Sequence, residues 1–112
     1  MKYAVPVSGG VMSPHFGHCE QFAIIDVDEN TKRVINRELI PSPEHQPGLL
    51  PAWLASKGVN VVIAGGMGPS AQNLFQQKGI KVVLGAQEGN PETAVIKYIT
   101  GTLATGNNTC SH

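Results

Sequence analysis

The hydrophobic positions along the chain change their spacing near residue 48. Before that point, Lys2 to Val7 (KYAVPV) and Gln21 to Val27 (QFAIIDV) are strand-length runs of β-branched, apolar and aromatic residues, separated by a segment rich in Gly, Ser and Pro. Asp28 to Thr31 reads as a turn and Arg33 to Ile40 returns as a third strand, so the first forty residues predict a three-strand antiparallel meander. Pro41, Pro43 and Pro47 then end the ladder. A proline has no N–H to donate and steers its predecessor away from helix, which makes PSPEHQPG an exposed loop.

After Gly48 the period becomes helical. Leu49, Leu50, Trp53 and Leu54 recur at helical spacing, and Lys57-Gly58 supplies a basic last turn and a closing glycine. VNVVIAGG is a nearly continuous apolar run, as expected of a parallel strand covered on both faces. Pro69 takes a first helical position, Ala71, Leu74 and Phe75 mark one face, and Lys78-Gly79 ends that helix. IKVVLG reads as another buried strand, which makes Val59 to Leu84 a βαβ unit. Asn90 caps a last helix running to about Thr100, with Ala94, Val95, Tyr98 and Ile99 facing inward. The predicted fold is α/β: a mixed five-stranded sheet in which the meander is followed by α-β-α-β-α. A single domain spans 1–101, and the aperiodic 102–112 is a disordered tail.

With 112 residues the chain has room for one core, so fold and function share a domain. Apolar residues make up 41% against 14% charged, which is a globular rather than a disordered balance. Eight basic residues face eight acidic ones, and the missing cationic field argues against a nucleic-acid partner. Neither a secretory leader nor a membrane-length apolar run is evident, which points to the cytoplasm and away from a membrane. There the widely separated Cys19 and Cys110 are thiols, idle or metal-binding, rather than a bridge.

Two loops could carry chemistry. In SPHFGHCEQF, His15, His18 and Cys19 lie within five positions, and soft sulfur with imidazole favours zinc, copper or iron over magnesium or calcium. The paired spacing of a structural zinc site is absent, and His45 lies in the second proline-rich loop, able to close over the same end of the sheet. The other loop, AGGMGPS, joins a strand to a helix through glycines and exposes amide N–H groups at the positive end of a helix dipole, where an anion is favoured. Gly66-x-Gly68-x-x-Ala71, with Glu88 about 20 residues on, also fits a loose dinucleotide fingerprint. It lacks the following βαβ unit such sites use, and the glycines could merely permit a tight turn. Met12 and Met67 are soft but more often packing residues, and Cys110 and His112 belong to the tail. No nucleophile elbow and no acid–base carboxylate pair stands out, so the protein is not read as an enzyme.

Taken together, SPHFGHCEQFAIIDV, SPEHQPGLLPAWLASKGVNVVIAGGMGPSAQNLF and GIKVVLG resemble the NifX-like dinitrogenase iron-molybdenum cofactor biosynthesis family, which includes the C-terminal domain of NifB-type proteins. The resemblance covers about Lys2 to Thr100. It implies a ribonuclease H-like fold and a role in binding, storing or handing over iron-molybdenum or related metal–sulfur clusters. By position, the family's S-P-H-F-G corresponds to Ser13 to Gly17, its loop histidine to His45, and its A-G-G-x-G turn to Ala64 to Gly68. The resemblance thus implies metal ligation by His15, His18 and His45, with the amides near Gly68 left for the anionic part of a cluster. Cys19 is a candidate ligand by its own position directly after His18, and Ser13, Gly65, Gly66, Met67 and Gly68 are the candidate cofactor-binding residues. The leading expectation is a small cytosolic carrier or chaperone for such a cluster, working with donor or acceptor proteins. The alternatives are a nucleotide- or phosphometabolite-binding enzyme centred on Gly66 to Ala71 and a regulatory protein-interaction module.

Overall fold

The computed structural model describes residues 1–13, 16, 19–43, 49–86 and 89–103. Strands β1 (Lys2–Ser8), β2 (Val11–Met12), β3 (Gln21–Asp28) and β4 (Arg33–Pro41) precede α1 (Leu49–Ser56), β5 (Val61–Ile63), α2 (Pro69–Gln77), β6 (Lys81–Val83) and α3 (Pro91–Ile99). They form one mixed six-stranded sheet in the order β4-β3-β1-β5-β6, with β2 paired to β1. The meander is as predicted: β1–β3 and β3–β4 are antiparallel, while β1–β5 and β5–β6 are parallel. The difference from the expected five strands is β2, a two-residue return after Gly9 and Gly10. Those glycines have φ of 63° and 84°, as a type I′ hairpin turn requires.

Alternation along the strands splits the core into two clusters. Ala4, Phe22, Ile24 and Val62 point to one face, where they meet Leu50 and Leu54 of α1 and Phe75 of α2. Tyr3, Val5, Val7, Ala23, Ile25, Val27, Val61 and Ile63 point to the other, under Ala94 and Val95 of α3. β5 is buried at all three positions, as a parallel central strand should be, but β6 is exposed or half-buried because it forms the sheet's edge.

All three helices end in the same way. In the Schellman motif, the amide two residues beyond the C-cap reaches back five positions, while a left-handed glycine turns the chain. Val59 N donates to Leu54 O at 3.2 Å, Ile80 N to Phe75 O at 3.0 Å and Thr102 N to Lys97 O at 2.8 Å. Gly58, Gly79 and Gly101 hold φ of 79°, 74° and 77°. At the end of α3, Thr102 N and Leu103 N both donate to Lys97 O, and Leu103 packs on the α3-side core. Residues 104–112 lie outside the described residues. Asn90 caps α3 as expected, its Oδ1 accepting from Thr93 N at 3.0 Å. Among the described residues no helix is long and apolar enough to cross a membrane.

Candidate functional site

Because β1, β5 and β6 run parallel, β3 runs antiparallel to β1 and β4 antiparallel to β3, several connections leave the sheet at one end. Val7 faces Gln21, and Gln21 faces Pro41, so the segments 13–20 and 42–48 start or finish beside the C-terminal end of β1. The turn 64–68, which follows parallel β5, belongs to the same end.

The segment 13–20 is tied at both ends to consecutive residues of β1. Ser13 N donates to Pro6 O at 2.8 Å, and Glu20 N donates to Val7 O at 3.0 Å. Glu20 N also lies 3.1 Å from Ser8 Oγ, and the Glu20 carboxylate accepts from Gly9 N at 3.0 Å, which fastens the β1–β2 turn to the same root. Phe16 lies between those anchors. It is buried, edge-to-face on Phe75 at 5.3 Å between ring centroids and tilted on Phe22 at 5.5 Å. Phe22 in turn meets Trp53 of α1 at 5.7 Å.

The second loop is stitched to the first at its base. Ser42 N donates to Glu20 O at 3.0 Å, and the Ser42 side chain lies near enough to the Cys19 thiol to favour its thiolate. Cys19 is half-buried, packed against the α1/α2-side core. Burial pushes its thiol above the ordinary value, outweighing the hydrogen bonds from Ser42 and from the Cys19 and Val7 backbone that favour the thiolate.

The glycine-containing turn is well fastened too. Gly65 O accepts from Gly85 N at 3.1 Å, Ala64 O from Ala86 N at 3.3 Å, and Met67 O from the Gln72 side-chain amide at 2.9 Å. Gly65, Gly66 and Met67 are buried and Gly68 is half-buried. The glycines do not provide a left-handed turn here: Gly68 has φ −70° as the N-cap of α2, and Gly65 and Gly66 are not among the positive-φ glycines. Gly68 offers no side-chain acceptor and Pro69 no N–H, so no side chain of the N-cap occupies the first turn of α2. Met67, 1% exposed, belongs to the same core cluster as Phe16, which makes its thioether part of the apolar floor under the loops.

Of the residues predicted from sequence, Ser13, Cys19 and Gly65 to Gly68 thus gather at one end of the sheet, Ser13 being 4% exposed. His15, His18 and His45 lie outside the described residues, as do Glu88, Cys110 and His112. Among the described residues no group of three His, Cys, Asp or Glu converges on a point that could hold a metal ion. Sequence reasoning missed Ser42 and Glu20, which join the two loops. Their only sequence signal is adjacency to the loop boundaries, and hydrogen bonds between distant segments leave no local pattern.

The chain is similar to known proteins along nearly its whole length. It is 38% identical over 87 residues to the uncharacterized protein MJ0580 of Methanocaldococcus jannaschii, an alignment covering 73% of this chain and 72% of that one. Its fold superposes on the crystal structure of PH0822 with a TM-score of 0.85, 29% identity and 94% of each chain covered. The apo form of the orange protein from Desulfovibrio gigas matches with a TM-score of 0.72 and 26% identity, over 96% of this chain and 93% of that one. The model of the dinitrogenase iron-molybdenum cofactor family matches residues 1–101. With the meander, the stitched loops and the glycine-containing turn in place, the chain belongs to the dinitrogenase iron-molybdenum cofactor family.

Proposed function

We propose that this protein is a carrier for a metal–sulfur cluster, the iron-molybdenum cofactor or a related precursor, taken from a donor protein and passed to an acceptor. The ligands are His15, His18, Cys19 and His45. Ser13 and the turn Gly65, Gly66, Met67 and Gly68 form the wall beside the cargo. In this reading the domain spans residues 1–101, has a ribonuclease H-like topology, works in the cytoplasm and performs no catalysis of its own.

The observation that carries the proposal is the bond from Ser42 N to Glu20 O, at 3.0 Å. It sets the roots of both histidine-bearing loops side by side. A trans peptide keeps the Cα of His18 about 3.8 Å from that of Cys19, and three residues of chain keep His45 within about 11 Å of Ser42. Imidazoles from both segments can therefore reach one locus. A metal–sulfur cluster is anionic, and the N-terminal turn of α2, which has no side-chain cap from Gly68, supplies the partial positive charge that suits it without a basic patch. Imidazole and thiolate are the soft donors such metals favour.

Anaerobic reconstitution with iron, sulfide and molybdate tests the proposal. Wild type should acquire visible cluster absorption, and the double variant His15→Ala, His45→Ala should not. Equal uptake by the variant overturns the ligand assignment. Saturable micromolar binding of NAD or ATP, unaffected by the histidine substitutions, would favour the nucleotide-binding alternative.

A further inference from the structure

We infer that Phe16 is a positioning residue for the candidate cluster site, holding the centre of the 13–20 loop by burying its ring in the core beneath it. The inference rests on the carrier reading for its ligand but has a readout that does not need one.

The loop has backbone anchors at its two ends, Ser13 N to Pro6 O and Glu20 N to Val7 O. Between them, Phe16 is 4% exposed in a loop otherwise made of Pro, His, Gly and Cys. Its ring meets Phe75 of α2 at 5.3 Å and Phe22 of β3 at 5.5 Å, so a strand and a helix both grip it. Met67, next to the glycines of the other wall, belongs to the same cluster. One apolar floor therefore supports two segments of the site.

The sequence adds the consequence. His15 directly precedes Phe16 and His18 follows it by two positions, so covalent geometry keeps their Cα atoms within about 4 and 7 Å of that of Phe16. Fixing Phe16 limits where both imidazoles can start from. Without the ring, the segment would lose this aromatic anchor, and cargo binding would have to supply the ordering that the core now supplies in advance. The same preorganisation would influence how His15 and His18 meet a bound metal, which a merely stabilising core residue would not do.

The test compares Phe16→Ala and the milder Phe16→Leu with Val95→Ala, which opens a cavity in the other core cluster, beneath α3 and across the sheet. Full-length apo protein is first examined by hydrogen exchange over residues 13–20, at matched loss of thermal stability. Phe16→Ala should exchange about tenfold faster in that loop than Val95→Ala, with Phe16→Leu in between. After reconstitution with iron, sulfide and molybdate, Phe16→Ala should bind the cluster about tenfold more weakly and with an altered visible circular dichroism spectrum. Phe16→Leu should restore much of both, and Val95→Ala should match wild type. Loop exchange or a spectrum equally perturbed in Val95→Ala, or unperturbed in Phe16→Ala, overturns the inference. Failure of the wild type to take up a cluster overturns the carrier reading instead, and the exchange comparison then decides the role of Phe16. Should Phe16→Ala not fold, Phe16→Leu against Val95→Ala gives the same decision.

Discussion

Among the described residues, Cys19 and Tyr3 are the side chains whose surroundings shift their protonation, and both shift upward. Burial raises the Cys19 thiol above its ordinary value, so at neutral pH it is overwhelmingly protonated. Alkylation by iodoacetamide in the apo protein should accelerate only well above pH ~8.5, the unperturbed thiol value. A rate plateau already reached at pH 7 would contradict the burial argument. Tyr3 is raised first by burial and then by the charges of Tyr98 and Glu29, and its ring stands edge-on to Tyr98 at 6.0 Å between centroids. A phenol held above its unfolded value favours the folded state as long as it keeps its proton. That contribution is complete below about pH 10 and is lost as pH rises through the shifted value. Urea titrations at pH 9 and 11 should show a smaller alkaline loss for Tyr3→Phe than for wild type.

At the scale of elements, the repeated helix ending makes a sharp prediction about glycine. Gly79 has φ 74° and a Cβ there would meet nothing within 4 Å, so the cost of Gly79→Ala is purely conformational, about 1–2 kcal/mol. Gly89 has equal space without a positive φ, and Gly89→Ala should be neutral or stabilise by up to about 1 kcal/mol. Denaturant unfolding of the pair checks this; similar values for both would mean that φ is not the cause. The ends of α1 and α2 were legible in the sequence because Lys-Gly followed by an apolar residue is a local signal, as are Asn90 before Pro91 and the period of α3. β2 was not, although Gly9-Gly10 is a hairpin signal, because its returning strand is only Val11 and Met12. The partial exposure of β6 depends on which strand lies at the edge, and its apolar run carries no trace of that. For the site, residue types and loop positions were legible. The stitching of Glu20 to Ser42 and the seating of Phe16 were not, because each joins segments far apart in the chain.

At the scale of the whole molecule, the sheet divides labour between its faces, edges and ends. Two helices cover one face and α3 the other. The outer strand β4 exposes Ile35 and Leu39, but a bulge near Asp26 and the Arg37–Glu92 ion pair interrupt that edge against pairing with another chain. The candidate site occupies the end where parallel and antiparallel connections meet, so cargo bound there would bridge loops rooted in β1, β4 and β5. Such a ligand should stabilise the entire domain, because it binds the folded arrangement and not the open chain. At a hundredfold excess over its Kd the gain is about 2.7 kcal/mol. Its pH dependence has a fixed sign: imidazole must be neutral and Cys19 deprotonated to ligate, so binding releases protons and weakens as pH falls through about 6.5. The rise in melting temperature on reconstitution should therefore be much smaller at pH 5.5 than at pH 8, and still growing at pH 8, because the Cys19 thiol keeps its proton there in the apo protein. Apo protein measured in parallel corrects for the domain's own acid response. A rise that is equal at both pH values would mean that the cargo is held without histidine or cysteine ligands, by the amide-lined turn alone.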